Sequence, residues 1–479
     1  MKTPLLIVFI LLLSARAWAE EPALPAGLGR DEPQLPAGLG EPSPSTPTGG
    51  EPDLPVGLDL AEPESNGRDQ GTEAELTAVP WQMSGFAETR LGARLQDDPT
   101  QKRASIGEAR AQWQAEAFLE SVTFKGVADF LYDPVLDHHR IDLERAEGWL
   151  DLREANFLMR PADAMDIKLG RQILTWGTGD LLFINDLFPK DWNALMIGRD
   201  EEYLKAPSDA AKISLFSDVV NLDWVYTPQF DADRYIDGER ISYYSASSGE
   251  IVGRNQPVQV EGRQNALQDD ELALRAYRLF GPYELAAYYY RGFWKSPAGV
   301  NPDSGLYTFP ELQVWGASVR GPVAGGVANA ELGYYDSLED DRGDDPWVRN
   351  SEWRALLGYE RELLPELTGA MQFYVESIQD YDAFRASQPP GAYLKDKRRE
   401  VVTLRLTQLL MNQNLTLSLF NFWSPSEDDG YLRLKANYKV DDHWRVESGA
   451  NVFYGEKVET FFGQLKDNSN LYVALRYGF

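Results

Sequence analysis

Only three histidines and no cysteine occur in 479 residues. His138 and His139 stand together in "LDHHRID" beside Asp137 and Asp142, and His443 stands alone. Imidazoles beside carboxylates could hold a divalent cation. Beside a serine, they could activate a nucleophile for hydrolysis. A solvated pair in an outer loop is the simpler reading, so no catalytic residue, metal ligand or cofactor is assigned and no enzymatic activity is expected. The chemistry that recurs is ionic. Arg90, Arg94, Arg110, Glu116, Lys125, Lys212, Arg354, Arg405, Arg433 and Lys435 all fall on the polar phase of alternating segments. A wet space lined by both signs orients charged or dipolar solutes, and this set leans positive, which points to anionic cargo. Cross-strand ion pairing that only fills space is the alternative.

Such side chains need strands to hold them. "GEARAQWQAEAF" sets Glu108, Arg110, Gln112, Gln114 and Glu116 against Ala109, Ala111, Trp113, Ala115 and Ala117. "DGYLRLKANYKV" sets Arg433, Lys435, Asn437 and Lys439 against Leu432, Leu434, Ala436 and Tyr438. This period of two lasts about ten residues each time, whereas strands of soluble sandwiches run nearer five or six. Ten residues tilted near 40° span roughly 25 Å, the apolar band of an outer membrane.

Eighteen such segments are legible, with sixteen as the fallback, beginning near residues 84, 105, 122, 149, 166, 210, 221, 271, 283, 311, 327, 351, 367, 398, 415, 430, 444 and 469. Long connections alternate with tight ones such as Leu119-Glu120-Ser121 and Gly281-Pro282. The expectation is an all-β fold: one transmembrane antiparallel β-barrel over residues 81–479, with short turns at one rim and long loops at the other. Trp149, Trp176, Trp294, Trp353 and Trp423 fall at the long-loop rim, with Trp81 and Trp444 at the opposite one, as in two aromatic girdles. Scattered core tryptophans are the alternative.

One long connection, from Thr178 to Ser208, is unusually apolar. Leu182, Phe183, Phe188 and Trp192 need a dry place, so the segment reads as a loop folded into the pore to narrow it. Packing on neighbouring loops is the other possibility.

Residues 1–19 read as a signal peptide: Lys2, the apolar run Leu5 to Leu13, and Ala17-Trp18-Ala19 before the cut. The formal charge of −29 includes Lys2 and Arg16, so the mature chain carries about −31, which argues against nucleic acid. Residues 20–80 are rich in Pro, Gly and Glu and read as a disordered arm. E-P-x-L-P-x-G-L occurs in it three times, as Leu24, Pro25, Gly27 and Leu28; Leu35, Pro36, Gly38 and Leu39; and Leu54, Pro55, Gly57 and Leu58. These copies are either a duplicated spacer or a multivalent tether to a periplasmic or inner-membrane protein.

The chain ends "LYVALRYGF", with Leu471, Val473, Leu475, Tyr477 and Phe479 on the lipid phase. A sheet in lipid has to close, so this strand must pair with the first. Its Tyr477-x-Phe479 ending resembles the C-terminal signature of bacterial outer-membrane proteins, which implies recognition by the barrel-assembly machinery. "LDLREANFLMRPADAMDIKLGRQILTWG" carries Leu169, Gly170, Arg171, Gln172, Trp176 and Gly177. With it, the chain resembles the alginate-export type of substrate-selective porin and related barrels. The resemblance implies an outer-membrane channel of a Gram-negative bacterium, in contact with outer-membrane lipid. The sequence leaves the oligomeric state open. The reading is a passive channel for small charged or amphipathic solutes, tethered through its repeats. The alternative is a barrel that anchors the repeats within a trans-envelope export system for lipid or hydrophobic compounds.

Overall fold

Alternation of apolar and polar side chains becomes a sheet that closes on itself. The computed structural model describes residues 81–136 and 140–479; the signal peptide, the arm with its repeats, and Asp137, His138 and His139 lie outside them. The barrel strands begin with β1 (Trp81–Arg94), β2 (Ala104–Phe118), β3 (Val122–Tyr132), β4 (Leu150–Ala162), β5 (Met165–Ile173), β6 (Pro207–Leu215) and β7 (Asn221–Thr227). A small hairpin, β8 (Tyr243–Ser245) with β9 (Glu250–Val252), sits in the following loop. Then come β10 (Glu271–Phe280), β11 (Tyr283–Phe293), the loop hairpin β12 (Gly299–Val300) with β13 (Tyr307–Thr308), β14 (Glu311–Val323) and β15 (Gly326–Ser337). The barrel finishes with β16 (Glu352–Leu364), β17 (Leu367–Ile378), β18 (Arg398–Leu410), β19 (Leu415–Ser424), β20 (Asp429–Lys439), β21 (Trp444–Gly455) and β22 (Asn470–Gly478).

Eighteen of these strands form one antiparallel sheet in which sequence neighbours pair. β7 pairs with β10 across the long excursion between them, and β1 pairs with both β2 and β22. Glu88 stands opposite Arg110 on one side and Arg476 on the other, so the cylinder is closed. Closure removes the open edge that hydrocarbon would leave without hydrogen-bond partners. No helix among the described residues is long and apolar enough to cross a membrane; the strands do so instead.

The tight rim is made of links such as Ala324-Gly325, whose φ angles of 48° and 78° form the left-handed pair that a two-residue hairpin requires. The outside is apolar: Leu91, Trp113, Trp224, Trp315, Leu357, Met371, Leu404, Leu471 and Val473 are all exposed. Trp149, Trp353 and Trp423 are exposed toward the long-loop rim, and Trp81 and Trp444 at the short-turn rim. Trp176 and Trp294 correct the girdle expectation. Trp176 packs edge-on against Phe188 at 4.9 Å, and Trp294 stacks on the buried Tyr335 at 5.6 Å, both inside the barrel. Each lies just past its strand, where the chain has already turned inward.

Candidate functional site: a loop seated in the barrel

The segment between β5 and β6 leaves the long-loop rim and descends into the barrel. Its start is fixed by one carboxylate. Glu331 on β15 is buried and accepts from Thr178 Oγ1 at 2.8 Å, Gly179 N at 2.9 Å, Asn185 N at 3.3 Å and Asn185 Nδ2 at 3.0 Å, and from the Thr178 amide. A carboxylate accepting several amide donors is a strong anchor because each bond is charge-assisted. The Tyr335 hydroxyl donates to the Ile184 carbonyl at 2.5 Å.

Below this anchor the loop supplies a real core. Leu181, Ile184, Phe188, Leu195, Met196, Ile197 and Leu204 are buried against wall residues Leu356, Tyr374, Phe420, Phe422, Tyr431 and Phe453. Each such side chain contributes about 1.5–3 kcal/mol by leaving water. A short helix, Trp192–Met196, opens where Asp191 Oδ1 accepts from Ala194 N at 2.7 Å, a side-chain cap for an otherwise free amide.

The lowest point of the loop is polar and faces cations. Gly198, with φ of 86°, lies against the ring of Tyr472, and Arg90 Nη1 donates to its carbonyl at 2.6 Å. Arg199 pairs with Glu108 at 2.5 Å. Asp200 meets Lys435 at 2.5 Å and Arg476 at 3.0 Å. Glu201 meets Arg433 at 3.2 Å and Arg405 at 3.3 Å; Arg405 also reaches Asp180 at 2.6 Å. Tyr203 lies under the guanidinium groups of Arg110 and Arg153, 4.2 and 4.4 Å from its ring centre.

The structure thus gathers Arg90, Arg110, Arg405, Arg433 and Lys435 around the loop. Arg94 is buried at the upper rim, donating to Ala104 O at 3.0 Å and Asn468 Oδ1 at 3.4 Å. Arg354 packs over Tyr335 at 3.8 Å and pairs with Glu352. Lys125 pairs with Glu154 at 2.9 Å, Lys212 lies 3.6 Å from Asp223, and Glu116 accepts from Gln114 at 3.1 Å, all away from the loop. Leu182 and Phe183 are half-buried and pack on the core; Phe188 is buried and Trp192 lies 6.0 Å from Phe183. Tyr477 packs on Trp444 at 5.0 Å, and Phe479 exchanges two 3.0 Å backbone bonds with Gly85. His443 contacts the Gly478 carbonyl through Nδ1 at 2.9 Å.

Sequence reasoning did not single out Glu331, Arg476 or the Asp200-Glu201-Glu202 run. The run was visible as three consecutive acids inside an apolar stretch. Two small voids border the loop: an apolar one between Trp176, Phe188, Tyr288 and Val314, and a polar one among Glu88, Asp200, Arg445, Glu447 and Arg476. They hold about 10 and 20 Å³, room for about one water each.

The family described as "Protein of unknown function (DUF1302)" matches residues 94–479, well over half of the sequence. The chain belongs to this family. No curated protein matches the sequence. Among solved structures, the chain is similar to OccD3 (OpdP) of Pseudomonas aeruginosa, at 10% identity and TM-score 0.49 over 84% of this chain and 92% of that one. It is also similar to OccAB1 of Acinetobacter baumannii, at 9% and 0.49 over 85% and 99%. A triple mutant of the Rhodopseudomonas blastica porin matches at 10% and 0.38 over 84% and 100%. The closed cylinder stands on the strand pairing itself, and its apolar exterior makes this family member an outer-membrane β-barrel.

Proposed function

We propose that the protein is an outer-membrane channel for passive, selective passage of small charged or amphipathic solutes. The observation that supports this best is the interior: a closed barrel whose inner wall holds the tip of a long loop through ion pairs and hydrogen bonds. Polar fastening can exchange with water and solute. On this reading the short turns face the periplasm and the long loops the exterior, the usual arrangement of such barrels. The N-terminal arm then lies in the periplasm, where its repeats dock a periplasmic or inner-membrane partner, and Tyr477 and Phe479 serve barrel assembly. No covalent chemistry belongs to the reading; His443 is engaged with a backbone carbonyl.

The buried apolar core of the loop favours a second reading, in which the barrel is a stoppered anchor and the repeats are the working part. Planar-bilayer conductance separates the two. Discrete single-channel steps from the full chain, or from a barrel with residues 178–206 replaced by a short Gly-Ser link, support the channel. Silence from both leaves the anchor.

A further inference from the structure

The wall facing the loop's lowest point is not electrically complete without it. From β18 through β22 to β1 the wall presents Arg90, Arg405, Arg433, Lys435 and Arg476, against Glu88 and Glu447. With Arg445, which lines the polar void beside Asp200 and Arg476, that is an excess of four positive charges. Among the described residues, every carboxylate within ion-pair distance of Arg405 and Arg433 belongs to the loop, namely Asp180 and Glu201. Asp200 and Glu202 complete the loop's contribution, against Lys435 and Arg476.

We infer that this cradle is a binding site for a multivalent carboxylate solute, and that the Asp200-Glu201-Glu202 tip is a tethered occupant which such a solute displaces. The inference rests on the channel reading for its consequence, passage, but not for the binding itself. Three features support it. Guanidinium groups bound to carboxylates are selective for that geometry and costly to leave unpaired when buried. Arg433 is buried beneath the loop, donating to Glu201 and the Arg199 carbonyl, so withdrawing the loop takes away its carboxylate and opens its guanidinium to an anion from the lumen. The tip is within reach: the side chains of Glu201 and Glu202 are 39% and 51% exposed, so solvent and solute reach them while the arginines behind them stay covered.

Citrate is the probe, with glucose and chloride at matched ionic strength as controls, on the full chain in detergent and in bilayers. The full chain should bind citrate weakly. The D200N/E201Q/E202Q variant, checked for folding by its heat-modifiable mobility, should bind it at least tenfold more tightly, with no response to glucose. Adding R405Q and R433Q to that variant should abolish the gain. In bilayers, citrate should raise the open probability of the full chain at least tenfold, and the tip-neutral variant should be open without it. Equal citrate binding by the full chain and the tip-neutral variant overturns the inference, as does citrate binding that survives R405Q and R433Q. Citrate binding without conductance in any variant upholds the site and overturns the channel. Conductance that ignores citrate does the reverse.

Discussion

Gly198→Ala tests the seating of the loop at its tightest point. Gly198 holds φ of 86°, and a β-carbon built there would lie 2.2 Å from Cε1 and 2.3 Å from Cδ1 of Tyr472. The ring cannot swing clear easily, because Tyr472 is buried and the Arg90 guanidinium sits 5.3 Å from its centre. A left-handed alanine costs about 1–2 kcal/mol. Overpacking a filled site adds about 1–3 kcal/mol. Together they disfavour the seated loop by about 2–5 kcal/mol, which shifts its equilibrium with any displaced form about thirty- to several-thousand-fold. The assay is single-channel recording beside limited proteolysis across residues 178–206. The variant should open more often, or lose protection in this segment, while the barrel keeps its heat-modifiable mobility. An alanine variant with unchanged conductance, protease protection and melting would refute the reasoning, since no room exists for the added methyl if the loop sits here.

Three further outcomes are expected. Arg90→Ala removes a donor shared by Glu88, Glu447 and the Gly198 carbonyl; melting in detergent should show a loss toward the lower end of about 3–5 kcal/mol, because Arg476 and Lys435 keep partial hold of the two acids. Burial, then the charge of Glu271, push the Asp231 carboxyl in the loop before β10 up to about 7. The unfolded chain releases that proton near pH 4, so the folded state binds the extra proton between about 4 and 7 and stability falls as pH rises through that window; Asp231→Asn should flatten this component in melts taken at pH 4, 5.5 and 7. Phe479→Ala leaves the two backbone bonds to Gly85 but uncovers that glycine, so folded barrel should accumulate more slowly on pulse-chase gels with little change in final melting.

The strands were almost wholly legible. Period two with ten-residue lengths placed starts near 84 and 210 that the structure sets at Trp81 and Pro207, and the start at 122 coincides. Faces followed from the same rule: Glu88, Arg90 and Arg94 are buried and Leu91 is exposed. What the sequence could not carry was partnership across the interior. Arg405 and Glu201 are separated by 204 residues and Glu88 and Arg476 by 388, and no local pattern says which wall a loop will meet. Trp176 and Trp294 went astray for a related reason. A tryptophan at a strand end suits lipid or lumen equally until the next turn is known, and Gly177, at φ of 81°, turns the chain inward just after Trp176. Glu331 drew no attention in the sequence because its five donors come from a fold of residues 178–185 that alternation does not describe.

The loop lies early in the chain, between β5 and β6, yet much of what it touches lies on β15, β18, β20 and β22. A cylinder that shut first would have to admit this greasy span through its own mouth. Seating the loop while the sheet is still open, with the strands closing around it like thread around a bobbin, avoids that passage. Winding order and stopper are one problem for this chain, so a loop borrowed from a relative would have to arrive with the staves that were wound on it.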